Sequence, residues 1–299
     1  EELFPTVSGR MSSGSFQFDI YNSETGRNRS VQVENSQIEI DAAFEGRESL
    51  SLLEAKIDLS KDFLVRQLYY PFRVWNSRVN KKVKPIFLVY SNGVFSLYEY
   101  EFEKQGIYNS LHLVKHQNYS IEDTVILLGN LQEIADKTVL VEEPNVSFPQ
   151  ANDFKRVINI CELLYAHSMT REEVTEEYAF NVRQTNYYTD AAIYLGLVEK
   201  KRSKNRKPEY FLSARGRSVM NLGYKQRQLA FCKLILEHRV FNEAFNLWIS
   251  NGKIPQESEV VALMEKAGLY NVKSREAYFR RASTIIGWIN WMFGLVDEE

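Results

Sequence analysis

An α+β (or α/β) fold, with a mixed β-sheet in the first half of the chain and a mostly helical second half, is predicted by three observations. Apolar and polar residues alternate in two short runs, Ile38 to Ala42 and Leu52 to Ile57, the period of a half-buried strand. From Phe154 the spacing becomes helical, with Phe154, Val157, Ile158, Ile160, Cys161, Leu164 and Tyr165 forming one apolar face. Charge changes along with the pattern. Residues 1–150 carry 15 Lys and Arg against 21 Asp and Glu, a net of −6, whereas residues 151–299 carry 22 against 18, a net of +4. With 299 residues, 44% of them hydrophobic, the chain can bury more than one core. The overall net charge of −2 therefore hides a basic half suited to a polyanion.

The first elements are two β-like runs, Ile38-Glu39-Ile40-Asp41 and Leu50 to Asp58. Side chains switch faces at each strand residue, so Glu54 and Lys56 share one face. Ala42 to Ser49, with Gly46, is polar enough for a hairpin turn that would bring Asp41 near Glu54. A helix-like segment, Lys61 to Trp75, follows and contains Gln67. Beyond it Phe87–Tyr90 and Phe95–Phe102 flank Asn92-Gly93, a hairpin signal, with aromatics of core character. Two carboxylates and an ammonium would thus converge. Carboxylate oxygens suit Mg²⁺, which keeps several waters and recruits phosphate oxygens, and a nearby lysine can orient a water or stabilise charge at phosphorus. The implied reaction is phosphodiester hydrolysis. Acid and lysine residues also alternate on the wet face of many hairpins for solubility alone.

Asp41, Glu54-Ala55-Lys56 and the following helix with Gln67 resemble the PD-(D/E)xK nuclease superfamily, particularly its type II restriction endonucleases. The resemblance covers roughly residues 10–130. It implies a nuclease core over residues 1–148, with Asp41 and Glu54 as metal ligands, Lys56 as the catalytic lysine and Gln67 as a weaker match. Glu39 and Asp58 are second-choice acids. The family's proline before the first acid is absent, since Ile40 precedes Asp41. The resemblance further implies Mg²⁺, with Mn²⁺ able to substitute, double-stranded DNA as substrate, and a homodimer or transient pair of protomers.

Pro144 to Pro149 marks the change of pattern. After the helix from Phe154, Thr170-Arg171-Glu172-Glu173 reads as the capped start of a short helix, and Asn181 to Leu195 as a longer one ending at Gly196. Leu197–Lys201 and Glu209–Ser213 read as two strands. Six of the eight residues from Lys200 to Lys207, at the end of the first strand and in the connection, are basic: Lys200, Lys201, Arg202, Lys204, Arg206 and Lys207. Three helices and a two-stranded wing resemble a winged helix-turn-helix over residues 149–222. In such domains the third helix enters the major groove and the wing contacts the backbone. That helix would present Arg183, Gln184, Thr185, Asn186 and Tyr187 to DNA, Arg, Gln and Asn being able to bond base edges. Residues 223–299 form a further helical region. Setting Gly294-Leu295-Val296 against Gly196-Leu197-Val198 places Arg281 opposite Arg183 at the same spacing, which suggests a second winged-helix-like unit. Trp288, Trp291 and Met292 make its last helix apolar enough to be largely a packing element.

Several function classes are not supported. No apolar run approaches the roughly 20 residues that span a bilayer, so no membrane association is expected. Cys161 and Cys232 sit in apolar helical patterns, which argues against a disulfide framework or Cys-rich zinc site and fits the cytoplasm of a prokaryotic cell. His112, His116, His167 and His238 lack metal-ligand spacing. There is no phosphate-binding G-x-x-x-x-G-K-[ST] loop, hence no expected nucleotide cofactor, and no serine or cysteine nucleophile elbow. The chain opens Glu1-Glu2-Leu3-Phe4 without methionine, consistent with an upstream portion outside this sequence. The favoured function is a metal-dependent, sequence-specific endonuclease of restriction type. Alternatives are a DNA-repair or structure-specific nuclease of the same superfamily, or a non-catalytic winged-helix regulator.

Overall fold

The structure is a computed structural model that describes residues 2–57, 63–122, 125–177, 182–202, 207–270, 272 and 274–297. The chain forms two compact units, Glu1–Ile121 and Glu122–Glu299. The expected α+β class holds, with a six-stranded mixed sheet and a largely helical second unit.

In the first unit the strands are β1 (Phe4–Pro5), β2 (Gly9–Ser12), β3 (Ser15–Asn22), β4 (Arg27–Glu34), β5 (Gln37–Ile40), β6 (Ala42–Glu45) and β7 (Ser49–Lys56). Helix α1 (Val65–Asn76) follows, then β8 (Lys82–Ser91), β9 (Val94–Phe102) and β10 (Leu111–Ser120). The main sheet has the order β1-β6-β7-β8-β9-β10, with β2-β5 and β3-β4 as separate ribbons. Within the main sheet the strand pairings are antiparallel except β7 with β8, which run parallel. A parallel pair needs a crossover connection, and α1 supplies it. Leu50 and Leu52 of β7 face Tyr69 and Phe72 of α1 in one apolar cluster, which fixes the register of Glu54 and Lys56. The β8–β9 turn is the expected Asn92-Gly93 pair, both at positive φ (54° and 80°). Of the flanking aromatics, Phe87 and Phe102 are core residues.

Two local expectations change. Residues 42–45 are not turn but strand β6, paired to β7, so the turn shrinks to residues 46–48, where Gly46 N–H donates to Ser49 O at 2.8 Å. Buried Ala43 explains this, because its packing rewards the strand conformation. Asp41 consequently lies between β5 and β6, where the chain passes from one sheet to the other. The helix expected from Lys61 is α1, beginning at Val65; residues 58–62 lie outside the described residues.

The second unit comprises α2 (Leu128–Lys137), α3 (Phe154–Ala166), β11 (Met169–Thr170), α4 (Arg171–Glu177), α5 (Val182–Tyr194), β12 (Val198–Arg202), β13 (Pro208–Leu212) and α6 (Ala214–Met220). Four further helices follow: α7 (Tyr224–Leu236), α8 (Arg239–Asn251), α9 (Glu257–Ala267) and α10 (Arg275–Phe293). β13 lies between β11 and β12 in an antiparallel sheet. The pattern changes near residues 144–149, yet the units divide earlier, because Ile126 and Leu131 join the core of the second one. Trp288 and Met292 are fully buried and Trp291 nearly so, as expected of a packing helix.

Gly287 lets α10 approach the backbone of Asn152 closely. A Cβ there would lie 2.2 Å from the carbonyl oxygen of Asn152, and the neighbouring Trp288 Nε1 donates to Ala151 O at 2.6 Å. Residues 151–152 are thus pinned onto α10. Gly287→Ala should overpack this contact and cost about 1–3 kcal/mol; a lowered denaturant midpoint in chemical unfolding is the expected reading.

Candidate active site

Strand β7, the β5–β6 junction and the first turns of α1 enclose a cavity of about 450 Å³. Glu39, Asp41, Glu54, Lys56, Arg66 and Gln67 are among its lining residues. The structure therefore brings together all four residues expected to act in chemistry. Glu54 is 5% exposed, and its Oε1 accepts from Gln67 Nε2 at 2.5 Å and lies 2.7 Å from Lys56 Nζ. Asp41 Oδ2 accepts from the backbone N–H of Ala55 at 2.7 Å, so the residue between Glu54 and Lys56 holds the first acid in place. Gln67 sits in the first turn of α1, from which its side chain reaches Glu54 on β7; one turn later Pro71 has no N–H to offer the Gln67 carbonyl.

The electrostatics are those of crowded carboxylates. Burial pushes the Glu54 pKa above its ordinary 4.5; Lys56 opposes the rise, and the charges of Asp41 and Glu39 add to it. A cation would relieve this crowding. Among the described residues no group of three or more His, Cys, Asp and Glu side chains could hold a metal. Mg²⁺, however, is commonly bound through one or two carboxylates, waters and substrate phosphates. Asp41 and Glu54 meet that smaller requirement, and the bonds just described engage neither Asp41 Oδ1 nor Glu54 Oε2.

The second-choice acids fare differently. Glu39 lines the cavity but pairs with Arg10 at 3.2 Å, and Asp58 lies outside the described residues. Arg66 and Tyr70 also line the cavity, with the Arg66 guanidinium 5.9 Å from the Tyr70 ring centroid. Sequence reasoning passed over Arg66, although a basic residue next to Gln67 at the start of the same helix was the available signal.

The raised Glu54 pKa makes a stability prediction. Between the ordinary value and the raised one, the folded chain binds more protons than the unfolded chain, so stability falls as pH rises through that window. Glu54→Gln removes the charge that burial disfavours. Its Tm should exceed that of the wild type at pH 7, the gain shrinking as pH falls through that window towards 4.5; thermal melts across pH check this.

In the second unit Arg183 and Gln184 are exposed on α5, while Asn186 and Tyr187 are half-buried. Thr185 corrects an expectation. It is fully buried, its Oγ1 2.9 Å from that of Thr175 on α4, so it joins the two helices and cannot meet DNA in this fold. Lys200, Lys201, Arg202 and Lys207 are exposed on or beside the β12–β13 hairpin; Lys204 and Arg206 lie outside the described residues. Lys201 pairs with Glu199 at 2.9 Å, and Lys200 stands 5.6 Å from the Tyr210 ring centroid. Arg281 is half-buried on α10, beside Gln150 and Tyr187.

Cys161 and Cys232 are buried free thiols whose pKa values burial pushes up. His116 stacks on Tyr98 with centroids 4.2 Å apart, and His112 Nδ1 lies 3.8 Å from Glu103. No helix among the described residues is long and apolar enough to cross a membrane.

A family model described as a domain of unknown function (DUF6997) matches residues 1–120, and a second, also described as a domain of unknown function (DUF7226), matches residues 156–297. No curated protein and no solved structure matches the chain.

Proposed function

We propose that this chain is a metal-dependent endonuclease of restriction type that hydrolyses phosphodiester bonds of double-stranded DNA. The observation that carries this reading is the convergence of Asp41, Glu54, Lys56 and Gln67 on one cavity. The order hairpin, E-x-K strand, crossover helix, parallel strand in β6-β7-α1-β8 supports the resemblance to PD-(D/E)xK nucleases. The order α3-β11-α4-α5-β12-β13 likewise supports a winged helix-turn-helix as the address-finding part.

Asp41 and Glu54 would hold Mg²⁺, or Mn²⁺ in its place. When bound, the ion supplies Lewis-acid polarisation of the scissile phosphate and neutralises developing charge. Lys56 orients the attacking water or stabilises the charge building on phosphorus as the new P–O bond forms and the old one breaks. Gln67 and the Ala55 N–H hold the two carboxylates in position and are positioning groups. Arg66 adds a cation for the incoming phosphodiester. Cutting both strands takes two active sites or two events, hence a homodimer or a transient pair of protomers on DNA.

Incubation with Mg²⁺ and a mixture of duplex DNAs tests the proposal. Discrete fragments are the expected outcome, and intact DNA under conditions of retained binding would overturn it. A structure-specific or repair nuclease is favoured by one observation, the burial of Thr185, which shortens the list of base-reading side chains; a smear of products would support it.

A further inference from the structure

Within the second unit, α5 and α10 link two arginines to one tyrosine, Arg183 directly and Arg281 through Gln150. Arg183 Nε donates to Tyr187 Oη, and its guanidinium lies 5.4 Å from the Tyr187 ring centroid. The Gln150 amide, in the orientation that satisfies both its ends, donates to the same Oη at 3.2 Å and accepts from Nη1 and Nη2 of Arg281 at 3.0 and 3.3 Å. Tyr187 Oη thereby receives two N–H donors, which leaves its own proton to be given to a further acceptor. The two arginines are the pair set opposite each other by their equal spacing to Gly196 and Gly294.

What this cluster lacks is negative charge. Among the described residues neither Arg183 nor Arg281 forms an ion pair with a carboxylate. Arg281 Nη1 also donates to Ala277 O at 3.1 Å, but its Nε is buried without a hydrogen-bond partner. Burial and the neighbouring Arg280 push the Arg281 pKa down, the reverse of what an acidic partner would do, although a guanidinium stays charged. Two cations and an O–H donor call for an oxyanion with several acceptor oxygens. A phosphodiester offers that and matches the fork of a guanidinium.

We infer that Arg183, Tyr187 and Arg281, braced by Gln150, form one clamp for a backbone phosphate of duplex DNA, so that the start of α5 grips the backbone with these residues instead of reading bases with them. The inference rests on the DNA-binding reading of the second unit. It also gives the Gly287 contact a purpose, since pinning residues 151–152 to α10 sets Gln150 beside Arg281.

Fluorescence anisotropy of the full chain on labelled duplexes of several unrelated sequences, across a range of salt, tests it against thermal melts of the same variants. Arg183→Gln and Arg281→Gln should each weaken binding about equally on every duplex and flatten the log–log salt slope, and the double variant should flatten it by about 0.9, the value of the one phosphate contact they share. Tyr187→Phe should weaken binding with the slope unchanged, and Arg281→Lys should restore the slope. Should Arg281→Gln fail to fold, Arg183→Gln on the exposed side carries the test alone. A loss confined to one sequence, or a lowered Tm with binding and slope intact, overturns the clamp while leaving DNA binding standing. Wild-type protein that binds no duplex overturns both.

Discussion

Lys56→Ala is expected to lower the rate of DNA cleavage on the order of 10²–10⁴-fold, the usual range for removing one acid–base or charge-stabilising group, with the affinity for duplex DNA held. Lys56 is about one-third exposed and bonded to Glu54, so its loss leaves a solvated gap and not a hole in the core. Glu54→Ala should abolish cleavage for a different reason. It removes a proposed metal ligand and the carboxylate oxygen that Gln67 and Lys56 both contact. Single-turnover assays on a labelled duplex, paired with anisotropy on the same variants, separate loss of chemistry from loss of binding. Cleavage by Lys56→Ala at the wild-type rate would remove the lysine from the mechanism.

The second large effect concerns the basic hairpin. Neutralising Lys200, Lys201, Arg202, Lys204, Arg206 and Lys207 together should weaken binding on all sequences and flatten its salt dependence. At about 0.9 per phosphate contact, six contacts amount to a change in log–log slope of about five. Lys201 should contribute less than its neighbours, because Glu199 already neutralises it at 2.9 Å. Anisotropy titrations across salt give the slope directly, and an unchanged slope would take the hairpin off the backbone.

Much of this arrangement was legible in the sequence because it follows from local rules. The alternation through β7 put Glu54 and Lys56 on one face before any partner was known, and the Asn92-Gly93 turn announced β8 and β9. The helical spacing from Phe154 and the basic run after Lys200 placed α3 and the hairpin within a residue or two. What escaped depended on packing between elements distant in sequence. That Asp41 ends one ribbon and begins another follows from pairing with β2 on one side and β7 on the other, which no local pattern reveals. Thr185 looked like a base reader because it is polar and flanked by polar residues, yet the α4–α5 packing turns it inward. Arg66 was overlooked since an arginine at a helix start resembles any solvated charge until the sheet end is placed opposite it. Likewise Arg183 and Arg281 could be aligned by spacing, whereas their connection through Gln150 and Tyr187 needed the folded unit.

The Asp41, Glu54 and Lys56 cavity is proposed to cut DNA with a divalent ion. Fragment analysis of duplex DNA after incubation with Mg²⁺, with wild type and Asp41→Asn side by side, tests it most directly. The substitution is nearly isosteric and keeps an oxygen for the Ala55 N–H, so the fold should persist. Fragments from the wild type, together with intact but bound DNA from Asp41→Asn, are the predicted result; equal cutting by both proteins, or cutting by neither while both bind, would contradict it.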